Sequence, residues 1–371
     1  MNQRLRVLFL SVLMPAVACT ADRVISPEVL DGGRVTFRLR APKAGEVTLG
    51  LAGSPSATMV LDAGGVWSTT TGPLDPDFYT YSFSVDGVTF TDPSNPATIP
   101  NFIWPGSMVH VPGPGTLPWE LNAVPHGEVH RHFYHSGVVG DDRDFSVYSP
   151  PGYDPRGEKK YPVLYLLHGY SDDASAWTAV GRAHVILDNL IARHEAKPMI
   201  VVMPLGYGAP EVLSFSRTGP RDPAVGRRNV DRFREALFQE VMPAVEHGYR
   251  LAGGRAARAI AGLSMGGAEA LQVGLNALDR FAWVGAFSSG GGIFEGAMEE
   301  HFPGLDAKAN NHLRLLWVAC GTEDRLIEGN RKLMAWLETK GIRHTAVETP
   351  GAHTWLVWRR NLAAFTPLLF R

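Results

Sequence analysis

Ser264 lies in Gly262-Leu263-Ser264-Met265-Gly266-Gly267, with an apolar stretch from Ala256 to Ala261 before it and a helix-favouring stretch from Ala268 to Leu278 after it. A strand that runs into a helix through G-x-S-x-G makes a sharp turn that lifts the serine hydroxyl to the carboxyl end of the strand. The flanking glycines let the backbone pass closely. A serine hydroxyl is a weak nucleophile; it needs a base, and the base needs an orienting acid. Asp324, in Cys320-Gly321-Thr322-Glu323-Asp324, follows the apolar run 315–320, and His353, in Pro350-Gly351-Ala352-His353-Thr354, follows the run 345–348. Both stand on loops after strands, in the order serine, acid, histidine. Glu323 is the rival acid. His301, His312 and His344 are less well placed, and His344 precedes its strand. An oxyanion would take the N–H of Met265 and a second donor from Leu167-His168-Gly169-Tyr170-Ser171, assigned to the Tyr170 N–H. Trp177, Trp355 and Phe215 are candidate walls for an aromatic acyl group; the two tryptophans are equally suited to packing loops. The chemistry implied is acyl transfer through a covalent acyl-serine.

The elements that hold these residues follow from hydrophobic period. Val163-Leu164-Tyr165-Leu166-Leu167 and Ile200-Val201-Val202-Met203 are continuous apolar runs, as expected of parallel strands buried on both faces. Between them, Val185, Ile186, Leu190 and Ile191 recur at helical spacing over 183–194, and Phe233, Leu237, Val241 and Val245 do so over 230–247. Strands are expected at 256–261, 283–287, 315–320 and 345–348, with helices from 266, near 329–340 and at the C-terminus. Strand and helix alternate throughout residues 125–371, which reads as a doubly wound α/β sheet.

Residues 22–100 differ. Val35 to Arg40, Glu46 to Leu51 and Tyr79 to Val85 alternate with period two, punctuated by turns such as Asp86-Gly87, which predicts a small immunoglobulin-like β-sandwich. Residues 101–124, within a Pro- and Gly-rich stretch holding Trp104 and Trp119, read as a linker that partly packs.

Composition narrows the partners. The chain has 371 residues, a formal net charge of -2 and 45% hydrophobic residues, so nothing electrostatic favours nucleic acid. Arg4 and Arg6, the uncharged apolar stretch from Val7 to Ala18 and the small residues Ala16 and Ala18 predict a signal peptide over 1–18. That stretch is shorter than the roughly 20 residues a membrane span needs. Cys19 directly after it is a candidate lipid anchor, so the expected location is secreted or periplasmic. The only other cysteine, Cys320, ends an apolar run and reads as a buried small hydrophobe, which excludes a disulfide framework in the mature chain. His126, Glu128, His130 and His132 alternate along one strand face, a pattern a metal site can use. They precede the catalytic segment, and ordinary edge-strand histidines are the preferred reading. No metal or cofactor is expected.

Residues from about 125 onward resemble the esterase D group of α/β-hydrolases, specifically the feruloyl and acetyl-xylan esterases of carbohydrate esterase family 1. The resemblance is carried by residues 147–153, 166–169, 181–192, 259–267, 319–324 and 351–358. It implies the α/β-hydrolase fold, places the serine, acid and histidine on Ser264, Asp324 and His353, and suggests plant cell-wall polysaccharide such as xylan as substrate. Residues 65–68, 79–87 and 91–96 are similar, more loosely, to family-48 carbohydrate-binding modules. Trp67 would then be a sugar platform or a core residue. The chain departs from the family in the segment 205–228, rich in Gly, Pro and Arg (Arg217, Arg221, Arg227, Arg228), so the acyl group does not carry over. Siderophore (enterobactin-type) esterases also join a front β-domain to such a hydrolase. Formylglutathione hydrolases lack the front domain, a mycolyl-type transferase would keep the triad while excluding water, and a lectin with a dead hydrolase domain would not need the triad intact.

Overall fold

A computed structural model describes residues 23–214, 223–291 and 296–371. The expected signal peptide, Cys19, and Phe215, Arg217 and Arg221 of the 205–228 segment lie outside these residues. Among the described residues no helix is long and apolar enough to cross a membrane.

The front region is a β-sandwich. One sheet is built on Val35–Arg40 and Val66–Thr70, the other on Val47–Leu51, Asp77–Val85 and Ser107–Val111. Alternate side chains turn inward, so Val35, Phe37, Leu39, Val47, Leu49, Tyr81 and Phe83 meet in a core of their own. Trp67 belongs to that core: it is 8% exposed, and its indole N–H donates to the Ala41 carbonyl. The sandwich extends further than expected. Ser107–Val111 pairs antiparallel with Asp77–Val85, so part of the segment read as a linker is a strand. Its alternation was hidden by the prolines and glycines on both sides.

The second region is an eight-stranded sheet: β1 (Glu128–His135), β2 (Asp142–Ser149), β3 (Val163–Leu167), β4 (Ile200–Pro204), β5 (Arg258–Leu263), β6 (Trp283–Phe287), β7 (Leu315–Gly321) and β8 (Thr345–Thr349). Their order across the sheet is β1-β2-β4-β3-β5-β6-β7-β8. β1 and β2 form an antiparallel pair, β2 runs antiparallel to β4, and the rest are parallel. This is the α/β-hydrolase fold. Every residue of β3 is buried because the two faces are covered by different helices. Leu164 and Leu166 point to the side that holds α1 (Ala183–Ala192) and α5 (Trp355–Phe365). Val163, Tyr165 and Leu167 point to the side that holds α2 (Pro223–Ala236), α3 (Ser264–Leu275) and α4 (Ile327–Thr339). The chain after α2 continues helical to Gly248 through a short π-helical stretch, Leu237–Val241.

The His126–His132 segment enters β1 with divided partners. His126 faces Asp188 at 3.0 Å, His130 faces Glu128 at 3.0 Å, and His132 lies 2.6 Å from the Tyr249 hydroxyl. Cys320 is buried, and burial first, then the charge of Asp324, pushes its thiol up to about 12.

Candidate active site

The turn from β5 into α3 sets the geometry. Ser264 has φ of 51°, the left-handed region that a non-glycine residue seldom occupies without external support. The support comes from close backbone contacts. A Cβ on Gly266 would meet the His168 carbonyl oxygen at 2.3 Å, and one on Gly262 would meet the Gly266 carbonyl oxygen at 2.4 Å. The glycine pattern is thus a steric requirement of bringing α3 against the end of β3.

Ser264 Oγ lies 3.0 Å from His353 Nε2, and His353 Nδ1 lies 2.8 Å from Asp324 Oδ2. Asp324 stands on the loop after β7, and His353 on the loop between β8 and α5, so three separate strand ends converge. The Asp324 side chain is fully buried and that of His353 is 19% exposed. Burial alone would raise the Asp324 carboxyl. The hydrogen bond and charge of His353, the Leu326 N–H and the Ser288 hydroxyl outweigh it and hold the carboxyl below its ordinary value. Glu323 is exposed, and the structure brings it to no triad residue. An ionised, buried carboxylate on Nδ1 fixes the histidine tautomer that leaves Nε2 able to accept the serine proton.

The oxyanion candidates sit on either side of Ser264. Met265 occupies the first turn of α3, where helix amides lack an i−4 acceptor. The loop after β3 passes beside the serine, since a Cβ on Gly169 would stand 3.5 Å from Ser264 Cβ. Tyr170, next along, is half-buried and packs against the buried cluster of Tyr207, Val212, Val225 and Met265, as do Leu205 and Leu213.

Two expected pocket walls are corrected. Trp177 is fully buried, its indole N–H donates to the Leu167 carbonyl at 2.9 Å, and its ring meets Trp355 edge-to-face at 5.2 Å. Trp355 is 7% exposed and packs in turn on Trp358. Both belong to the core between the sheet and helices α1 and α5, so neither offers a face to a substrate. An aromatic close to the catalytic histidine in sequence carries no information about which way its ring turns.

Several supporting residues were given no role by the sequence, although His168 and Trp358 lie within motifs that carry the resemblance. Trp358, in the first turn of α5 and five residues past His353, sets its ring edge-on to the imidazole at 4.8 Å and donates its N–H to Ser288 Oγ at 3.0 Å. His168 joins two loops: its Nε2 accepts from the Gly206 N–H at 2.9 Å while Nδ1 donates to the Gly169 carbonyl at 2.8 Å. Burial lowers its pKa to about 4, which keeps the ring neutral for both bonds. Below it, Glu269 is completely buried, and burial raises its carboxyl well above the usual value against the hydrogen bond from Asn229. Asn229 also accepts from the Ala209 N–H at 3.1 Å, so a buried polar network seats the loop after β4. A lone His or Glu on an apolar face announces such a network only once the fold pairs it.

Known proteins place this geometry. The model of the family described as "Putative esterase" matches residues 136–369. The chain belongs to that esterase family. The esterase is 32% identical over 353 residues to an endo-1,4-beta-xylanase/feruloyl esterase of Xylanibacter ruminicola, an alignment that covers 93% of this chain and 46% of the relative. It thus spans less than half the length of that relative. A CE1 ferulic acid esterase from Anaeromyces mucronatus, solved with ferulic acid, is 26% identical, with a TM-score of 0.58 over 70% of this chain and 96% of that one. The enterobactin esterase of Shigella flexneri, solved with enterobactin, shares the fold at 20% identity. Its TM-score is 0.67 over 90% of this chain and 92% of the other.

Proposed function

We propose that the protein is a secreted serine esterase that releases feruloyl groups, and acetyl groups as a second activity, from plant cell-wall polysaccharide such as xylan. The observation that carries this reading is the hydrogen-bonded chain Ser264–His353–Asp324 at the carboxyl ends of β5, β7 and β8. Ser264 Oγ attacks the ester carbonyl as His353 Nε2 takes its proton, and the N–H groups of Met265 and Tyr170 receive the oxyanion. The tetrahedral intermediate collapses, the sugar alcohol leaves with the proton from His353, and Ser264 keeps the acyl group. Water, deprotonated by His353, attacks the acyl-serine and frees the acid and the serine hydroxyl. Asp324 stays ionised and stabilises the imidazolium formed in each half.

The feruloyl preference is supported by the names of the xylanase/feruloyl esterase and ferulic acid esterase relatives. Secretion is supported by the signal-like residues 1–18. A catecholate siderophore ester is the second reading, favoured by the enterobactin esterase sharing both regions of the chain. The deciding measurement is kcat/KM on methyl ferulate, acetylated xylan and a catecholate siderophore. Ferulate release is expected to lead, and Ser264→Ala is expected to lower turnover about 10⁶-fold with the fold intact. Robust acetate release with no ferulate release would leave an acetyl esterase, and more than a few per cent residual activity in Ser264→Ala would remove the serine from its role.

A further inference from the structure

The Asp324 side chain is sealed from water, so protein groups must satisfy its oxygens. Oδ2 faces His353 Nδ1, and Oδ1 accepts the Leu326 N–H at 2.9 Å. A third donor is the hydroxyl of Ser288, a fully buried residue directly after β6. A hydroxyl carries one proton and can turn it toward any acceptor in reach. Here its direction is set from the other side. The indole N–H of Trp358, which can only donate, reaches Ser288 Oγ at 3.0 Å, and the Cys320 thiol stands 4.0 Å from the same oxygen. With Oγ taken up as an acceptor, the hydroxyl proton is left for Asp324. Trp358 also meets the His353 ring edge-to-face at 4.8 Å, so one side chain of α5 bears on both members of the acid–base pair.

The backbone of Ser288 adds a second observation. Its φ is 51°, and its N–H donates to the Ala319 carbonyl at 2.7 Å. Left-handed backbone is the conformation that glycine adopts most cheaply. The same turn does use glycine at its next two left-handed positions, Gly290 at 67° and Gly291 at 91°. Serine stands instead at the position whose side chain reaches the acid, a local strain of the kind that persists where function uses it. The turn itself is anchored: Ser289 Oγ donates to Asn330 Oδ1 at 2.8 Å, and Asn330 Nδ2 donates to Cys320 Sγ at 3.3 Å. Building on the acyl-transfer reading of Ser264, His353 and Asp324, but on no particular acyl group, we infer that Ser288 and Trp358 are positioning residues for catalysis. Trp358 aims the Ser288 hydroxyl at Asp324, and Ser288 holds the carboxylate where it orients His353.

The test uses p-nitrophenyl acetate as substrate and a phosphonate titrant to count active sites, so that a poorly folding variant still yields a true kcat. Ser288→Gly suits the backbone and Ser288→Ala keeps a Cβ; both remove the hydroxyl. In each, kcat is expected to fall about tenfold with KM little changed. The acid limb of the kcat/KM profile should move up by roughly half a pH unit, because a carboxylate that has lost a donor holds the imidazolium more tightly. Against Asp324 stand His353 and the Cys320 thiol of β7, and the thiol, pushed up to about 12 by burial, stays neutral over this range. A loss of folded protein alone would leave the limb in place. Trp358→Phe keeps a ring beside His353 and removes the N–H, so it should give a smaller loss with the limb displaced in the same direction. The double variant Trp358→Phe/Ser288→Gly should lose no more than Ser288→Gly, since both changes act through one hydroxyl. Unchanged kcat in the serine variants, a limb that stays or moves down, or additive losses in the double variant overturns the inference. With Ser264→Ala inactive, any of these results removes the positioning role alone; turnover retained by Ser264→Ala would remove it together with the triad.

Discussion

Two neighbouring carboxyl groups, Glu323 and Asp324, end on opposite sides of the protein surface, and that difference is what assigns their roles. Asp324 is buried against the imidazole, whereas Glu323 is exposed and contributes its backbone N–H to the Gly351 carbonyl. Asp324→Asn is expected to lower kcat about 10⁴-fold by releasing the histidine tautomer, and Glu323→Gln to leave it nearly unchanged; steady-state kinetics on one soluble ester ranks them, and the reverse order would move the orienting acid. A different titration is set at Asp172. Burial pushes its carboxyl up to about 7, partly countered by the hydrogen bond from Asn101. The folded protein therefore holds a proton that the unfolded chain has lost between roughly pH 4 and pH 7. More protons bound in the folded state means that stability falls as pH rises through this window, and that the contribution is fully favourable only below it. Asp172→Asn keeps an acceptor for Asn101 without the charge. Its unfolding midpoint relative to wild type should rise between about pH 5 and about pH 8, by roughly 2–4 °C for each kcal/mol. A difference independent of pH would place the titration elsewhere.

At the scale of elements, the strand-turn-helix at Ser264 depends on how closely α3 approaches β3. The atoms that a side chain on Gly266 would strike, the His168 carbonyl oxygen and the Leu167 carbonyl carbon at 2.7 Å, are backbone and cannot rotate away. Gly266→Ala is expected to destabilise the protein by at least about 1–3 kcal/mol, as for other overpacked sites. Gly253→Ala, which meets nothing within 4 Å, serves as the neutral comparison. Chemical denaturation midpoints read both, and equal midpoints would mean that the helix can retreat from the sheet. The same closeness explains what the sequence made legible. β3 and β6 fall at the bounds expected of them, because burial on both faces leaves no polar position to blur them. The Ser and Asp positions were legible because each loop follows such a run; β8, before His353, is an exposed edge strand, and the histidine was legible from its place on the loop after it. β1 was harder: it is an edge strand with mostly exposed residues, so its pattern carries charges where a central strand carries valine. Trp177 and Trp355 kept two readings in the sequence for a related reason, since a residue type states that a ring must be sheltered but not whether by ligand or by helix. The network of His168, Asn229 and Glu269 joins positions far apart in the chain, and only the folded sheet brings them together.

In the whole molecule, the front sandwich is fastened to the helix that follows the catalytic histidine. Arg359 of α5 and Asp77 of the sandwich are both fully buried, with Nη2 and Nε of Arg359 at 2.7 and 3.0 Å from Asp77 Oδ1. Arg359 also donates to the carbonyls of Val180 and Phe78, and Arg360 reaches Asp77 Oδ2 at 2.9 Å. Phe78 and Trp119 belong to the same apolar core as Trp177, Trp355 and Leu362, so the two regions share a core as well as an ion pair. Residues 125–371 contain every proposed catalytic group, which from sequence alone suggests that a chain starting near Val124 keeps the complete active site and loses less activity on small soluble esters than on polymer. The shared core argues otherwise. Such a truncation leaves the Arg359 guanidinium without its carboxylate and exposes the apolar side of α5, two residues beyond His353. Removing one member of a buried pair costs about 3–5 kcal/mol, before any apolar exposure is counted. The truncated chain is therefore expected to lose activity on small soluble esters and on polymer alike, with a lowered unfolding midpoint. Asp77→Asn in the full-length chain should reproduce part of the destabilisation. A truncated chain with wild-type stability and full turnover of p-nitrophenyl acetate would show instead that α5 holds the histidine loop by its contacts within the hydrolase alone.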